Sequence, residues 1–180
     1  MKENPISRSD WASFDWREAQ TQVALLFKKN GFKIFQEKKL ENNKRADIIV
    51  IKESKSMVII GVIEVKCYQK ITRGLEKSAM IQALNYLEDQ YTLSENNYNW
   101  RRKNKKYFAC VVYTRDYPTS FLRHTINNYD QFDKIKNIER NSLYLFYSTP
   151  NTVMDKLKNY IYIENKQQRI DDFFENEGQD

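Results

Sequence analysis

Asp47, Glu64 and Lys66 are the residues whose types and spacing suggest chemistry. Asp47 lies in the β-branched run Ala46-Asp-Ile-Ile-Val-Ile-Lys52, and the other two close the apolar run Met57 to Lys66. The polar stretch Glu53 to Ser56 separates the runs, so the pattern predicts two strands joined by a tight turn. With the turn centred on Lys55, antiparallel pairing brings Asp47 within about one residue of Glu64. Glu64 and Lys66 are two apart and share a strand face. Two carboxylates held together on an apolar hairpin repel each other, and partial burial raises the cost. A hard divalent cation relieves both effects. Carboxylate oxygens and water suit Mg²⁺, with Mn²⁺ as the alternative ion. Lys66 is then placed to orient or deprotonate a water, or to stabilise developing negative charge. Glu-x-Lys alone is common in a Lys-rich chain, where the plain reading is a Lys–Glu pair on an edge hairpin. The aspartate upstream on its own apolar strand distinguishes this one.

The elements that must position these residues are legible around them. Asp15 with Glu18 three residues on has the form of a capping box. Trp16, Ala19, Val23, Leu26 and Phe27 follow at helical spacing until Asn30-Gly31 stops the helix. Residues 32–35 predict a short strand. A second helix is expected over 75–89, burying Met80, Ala83, Leu84 and Leu87, with Gln82 and Tyr86 one turn apart on a stripe facing away from that core. Residues 93–106 read as a polar loop holding Arg101, Arg102, Lys103, Lys105 and Lys106 beside Tyr98 and Trp100. Strands are expected over 107–114 and 142–148, and helices over 120–135 and 152–160. This order predicts an α/β fold with a mixed central β-sheet flanked by helices.

Composition narrows the classes. The chain has 180 residues, 14% of them aromatic, with only 4 Gly and 3 Pro. That fits one domain, residues 1–163, able to bury a core, followed by a flexible acidic tail over 164–180. No apolar run approaches the roughly 18 residues of a membrane helix, and the first residues lack a signal-peptide core. A soluble intracellular protein without a membrane partner is expected. Cys67 and Cys110 are too few for a disulfide framework, and one histidine, His124, leaves little for a His-rich zinc site or a Ser-His-Asp triad. The net charge is +6 although the tail is acidic, so the body is strongly basic and suits a polyanionic partner. The five-base loop, with Tyr98 or Trp100 to stack on a base, is the expected DNA-contacting segment.

Arg45-Ala46-Asp47-Ile-Ile-Val and Ile63-Glu64-Val65-Lys66 together resemble the two halves of the PD-(D/E)xK nuclease motif, over roughly residues 15–115. The resemblance implies a restriction-endonuclease-like fold and a Mg²⁺-dependent deoxyribonuclease. Asp47, Glu64 and the Val65 carbonyl would hold the metal, and Lys66 would act on the attacking water. Glu18 stands where the family often carries a further acidic residue on the first helix. Gln82-Ala-Leu-Asn-Tyr86 is similar to the Q-x-x-x-Y motif that follows E-x-K in RecB-like members. The chain departs from that group in having no histidine before His124 and in lacking the cysteines of an iron–sulfur cluster, and Glu18 in the place of the histidine is closer to Holliday-junction resolvases and restriction subunits.

In the tail, Gln167-Gln-Arg-Ile170-Asp-Asp-Phe173-Phe174 resembles a PCNA-interacting peptide at each required position. A short helical turn would join Ile170, Phe173 and Phe174 into one apolar plug for a partner's groove. The resemblance implies recruitment by a sliding clamp for repair, recombination or replication. It also implies a nucleoid-associated cytoplasmic setting in an archaeon or its virus, or a nuclear one in a eukaryote, with a homodimer as a further option. The alternatives are a type II restriction-like endonuclease and a non-catalytic DNA-binding clamp adaptor.

Overall fold

The computed structural model describes residues 6–39, 45–115, 135 and 137–161. Five strands form one sheet in sequence order: β1 (Lys33–Lys39), β2 (Arg45–Glu53), β3 (Met57–Lys66), β4 (Asn104–Tyr113) and β5 (Leu143–Ser148). The first three strands pair antiparallel, and β3–β4 and β4–β5 are parallel. The helices are α1 (Arg8–Ser13), α2 (Trp16–Lys29), α3 (Arg73–Glu95) and α4, which covers residues 153–161. The chain is thus α/β, a mixed sheet flanked by helices.

β3 is the middle strand and is buried at every position but its first and last. Its apolar run from Met57 to Ile63 reflects cover on both faces. Val58, Ile60 and Val62 pack with Ala79, Met80, Ala83, Leu84 and Leu87 of α3. Ile59, Ile63 and Val65 pack on the other side with Ala19, Val23 and Phe27 of α2 and with Val153 and Leu157 of α4. Gly61 sits between these sets for a steric reason, because a Cβ there would lie 2.1 Å from Phe108 Cζ on β4. Parallel strands β3 and β4 require a crossover. α3 supplies it, running from the C-terminal end of β3 back to the start of β4.

Tertiary packing moves several element boundaries. The sequence pattern suggests that the second helix ends near Asp89, yet α3 reaches Glu95. Its last turn is buried through Ser94, whose hydroxyl meets that of Tyr107 at 2.7 Å. The loop expected over 93–106 is correspondingly shorter, and Lys105 and Lys106 belong to β4. α1, absent from the sequence reading, starts at a Ser7–Asp10 capping box and buries Trp11. The helix expected over 120–135 lies outside the described residues except for Ile135. The acidic tail, with Gln167, Ile170, Phe173 and Phe174, lies outside them entirely. Among the described residues no helix is long and apolar enough to cross a membrane.

Candidate active site

The last paired residues of the β2–β3 ladder are Ile48 and Ile63, so Asp47 and Glu64 stand opposite each other one step beyond. Alternation puts both on the α3 face of the sheet, with Ile49 and Val62 below them. The hairpin turn fixes this register: Ser54 N–H donates to the Met57 carbonyl at 2.8 Å, and the Ser54 hydroxyl accepts from Met57 N–H at 3.1 Å. At the far end the ladder opens, and Val65 N–H donates to Asp47 Oδ2 at 2.9 Å. A strand residue's N–H and C=O point to the same side, so the Val65 carbonyl is also directed toward β2. Lys66 is turned the other way, and its carbonyl accepts from Thr114 N–H at 3.1 Å.

Glu64 is fully buried and Asp47 nearly so. Burial pushes the Glu64 carboxyl up to about 7, with Asp47 adding to the shift and Lys66 partly opposing it. Lys66 Nζ donates to Glu64 Oε2 at 2.8 Å. Burial pulls the Lys66 ammonium down, but Glu64 and then Asp47 outweigh it and leave its pKa above the usual range. Lys66 is therefore a fixed cation rather than a free base. α3 completes this side of the site. Lys66 Nζ also donates to Gln82 Oε1 at 3.3 Å, and Gln82 Nε2 donates to the Tyr86 hydroxyl at 3.4 Å.

Asp47, Glu64, Lys66, Gln82 and Tyr86 are thus brought together, with one correction. Tyr86 does not face away from the core: it is buried within the cluster beneath α3, and its hydroxyl alone reaches the polar chain. A stripe one turn wide on a helix packed along its length has one edge against the sheet, which the i, i+4 spacing does not reveal. Glu18 is exposed, and its Oε2 accepts from Asp15 N–H at 3.0 Å, so its carboxylate serves the capping box of α2. Gln20, two residues on, is the contributor that the sequence reading missed. It is buried, and its Nε2 donates to the Asp47 carbonyl at 2.7 Å from the α2 face. A lone glutamine inside an apolar helical stripe was the available signal.

The basic residues after α3 lie elsewhere. Asn104 pairs with Met57, the first residue of β3, whereas Glu64 and Lys66 lie at its other end. The loop and the acid pair are therefore separated by about 23 Å of strand. Lys103 donates to Glu53 at 2.7 Å, Lys105 to Glu95 at 2.7 Å, and Lys106 to the Asn141 carbonyl at 3.0 Å. An apolar cavity of about 370 Å³, lined by Phe32, Met57, Ile59, Met154, Leu157 and Ile161, also reaches the Met57 end of the sheet.

The donor set fits a divalent cation of the Mg²⁺ class. Glu64 Oε1 is buried and accepts from no donor, an oxygen that a cation would satisfy. Among the described residues no group of three or more His, Cys, Asp or Glu side chains is placed to hold a metal. A cation here would rest on Asp47, Glu64, the Val65 carbonyl, and water or phosphate oxygens. That is an all-oxygen set with the partial hydration Mg²⁺ prefers. No protein-family model matches the chain, and no curated protein matches it.

Proposed function

We propose that this chain is a Mg²⁺-dependent deoxyribonuclease of restriction-endonuclease-like fold, hydrolysing phosphodiester bonds. One observation carries the reading: a buried acid pair on neighbouring strands, with an ammonium 2.8 Å from one carboxylate and an α3 glutamine also within its reach. A binding module gains nothing from keeping two desolvated carboxylates in opposition. Asp47 and Glu64 would hold the cation, which would supply Lewis-acid stabilisation of the scissile phosphate and a more acidic water. Lys66, held cationic by Glu64, orients the attacking water or stabilises negative charge that develops on phosphate oxygens. Gln82 limits the Lys66 rotamers, and Tyr86 steadies Gln82. Gln20 anchors the Asp47 backbone from the opposite face. The matching test is cleavage of single-stranded, duplex, flap and four-way-junction DNA with Mg²⁺ and with chelator. Turnover of at least one form with Mg²⁺ alone supports the reading, and none on any form contradicts it.

The recruitment half of the reading rests on the tail sequence. Gln167, Ile170, Phe173 and Phe174 would dock in the groove of a PCNA-type clamp and hold the enzyme on DNA. Calorimetric titration of a peptide spanning Lys166 to Glu175 against archaeal and eukaryotic clamps tests it. Binding that is lost with Phe173→Ala and Phe174→Ala supports recruitment, and no binding removes it.

A further inference from the structure

The five bases after α3 divide into two kinds. Lys103, Lys105 and Lys106 are spent inside the protein, on Glu53, Glu95 and the Asn141 carbonyl. Arg101 and Arg102 are exposed and have no partner among the described residues. Tyr98 is 83% exposed, the most exposed of the large hydrophobic side chains described. Trp100 is turned inward instead, packed against the core beneath α3. Lys55, exposed in the β2–β3 turn, adds a cation at the same end of the sheet, since Asn104 N–H donates to the Ser56 carbonyl at 2.9 Å. The nearby acids Glu53 and Glu95 are neutralised by Lys103 and Lys105.

This segment is also built rather than slack. The Asn97 side chain accepts from Asn99 N–H at 3.0 Å. Trp100 N–H returns to the Asn97 carbonyl at 3.1 Å, and Lys103 N–H to the Trp100 carbonyl at 3.1 Å. Lys103 Nζ pins the loop to the hairpin turn through the Ser54 carbonyl at 2.8 Å. An aromatic face and unpaired cations on a preorganised platform match the chemistry of single-stranded nucleic acid. A base stacks on the ring while arginines meet the flanking phosphates.

We propose that Tyr98, Arg101, Arg102 and Lys55 form a second nucleic-acid contact, distinct from the acid pair and about 23 Å away along β3. It deepens the nuclease reading by making the substrate a strand long enough to reach both places. That is about seven nucleotides at stacked spacing. The surface contributes affinity for long strands and nothing to the chemical step.

The test is fluorescence anisotropy of the full chain in chelator with oligothymidylates of about 4 and about 20 nucleotides. The variant combines Tyr98→Ala, Arg101→Ala and Arg102→Ala. It should bind both strands about 10-fold more weakly, because a base on the ring with its flanking phosphates on the arginines is a footprint that the shorter strand already fills. The slope of log affinity against log salt should fall by about 1.4, as for two lost phosphate contacts on a single strand. Tyr98→Ala alone should weaken binding of the thymidylate strand but not of an abasic strand of equal length. Unchanged affinity of the variant for both strands, or no strand binding by the wild type, would each overturn the proposal. Cleavage with Mg²⁺ is read separately. Strand binding that the variant loses, without any cleavage, keeps this surface and removes the nuclease reading, and cleavage with unchanged binding does the reverse.

Discussion

Val65 N–H donates to Asp47 Oδ2 at 2.9 Å, so the backbone beside Glu64 is held by the carboxylate opposite Glu64. A residue that looks purely functional is also a piece of the β2–β3 junction. Asp47→Asn keeps an oxygen to accept this bond while removing the charge. It should fold and melt like the wild type within about 1 kcal/mol, because the lost ion–amide strength is offset by relief of Asp47–Glu64 repulsion. Asp47→Leu leaves the buried Val65 N–H unpaired and should cost about 1–3 kcal/mol. Chemical denaturation of the three proteins checks this, and equal stability of the leucine variant would contradict it.

Glu64 gives the metal-free protein a pH dependence. Burial, with the Asp47 charge adding to it, raises its folded pKa from the ordinary 4.5 to about 7. A raised acid contributes stability that is complete below the unfolded value and is lost as pH rises through the folded one. With chelator present, the melting temperature should fall by about 5 °C or more between about pH 5 and about pH 8. Glu64→Gln should remove most of that fall, and Mg²⁺ should restore wild-type stability at the alkaline end by binding the charged pair. A flat wild-type profile would contradict the buried-acid assignment.

Two glutamines from opposite faces should behave differently. Gln20→Leu leaves the buried Asp47 carbonyl without its 2.7 Å donor and should lower stability by about 1–3 kcal/mol. Gln82→Ala removes a 3.3 Å acceptor from Lys66 that is partly exposed, so stability should change by less than about 1 kcal/mol. Its effect should fall on turnover rather than KM, since Lys66 loses orientation but not charge. A KM change alone would show that Gln82 holds substrate and does not position Lys66.

Gly61 is a packing constraint on the strand that carries Glu64 and Lys66. Gly61→Ala places a Cβ 2.1 Å from the Phe108 ring and should destabilise by about 1–3 kcal/mol. Adding Phe108→Leu should return part of that loss. A neutral single variant would show that β3 and β4 can separate without cost.

Local signals carried much of the fold and the centre of the site. The β-branched runs of β2 and β3, their polar turn and the Asp15–Glu18 box are short-range features, and each lies where the spacing puts it. The positions of Tyr86, Gln20 and the basic loop were not legible, for one shared reason. Each depends on how a helix docks and in which direction it recrosses the sheet. The clustering of Arg101 to Lys106 reads as one patch in sequence. In three dimensions β4 starts beside Met57, and all three lysines of the run close local ion pairs or carbonyl contacts. Charge runs do not say which members face solvent.

The most direct test of the central claim is the initial rate of DNA cleavage against Mg²⁺ concentration for the wild type, Asp47→Asn and Glu64→Gln. The wild type should show saturable Mg²⁺ dependence, and each variant should lose roughly 10²–10³-fold or more, the scale of removing one electrostatic contribution to the transition state. Folded variants that cut at the wild-type rate, or a wild type that cuts equally in chelator, would contradict it.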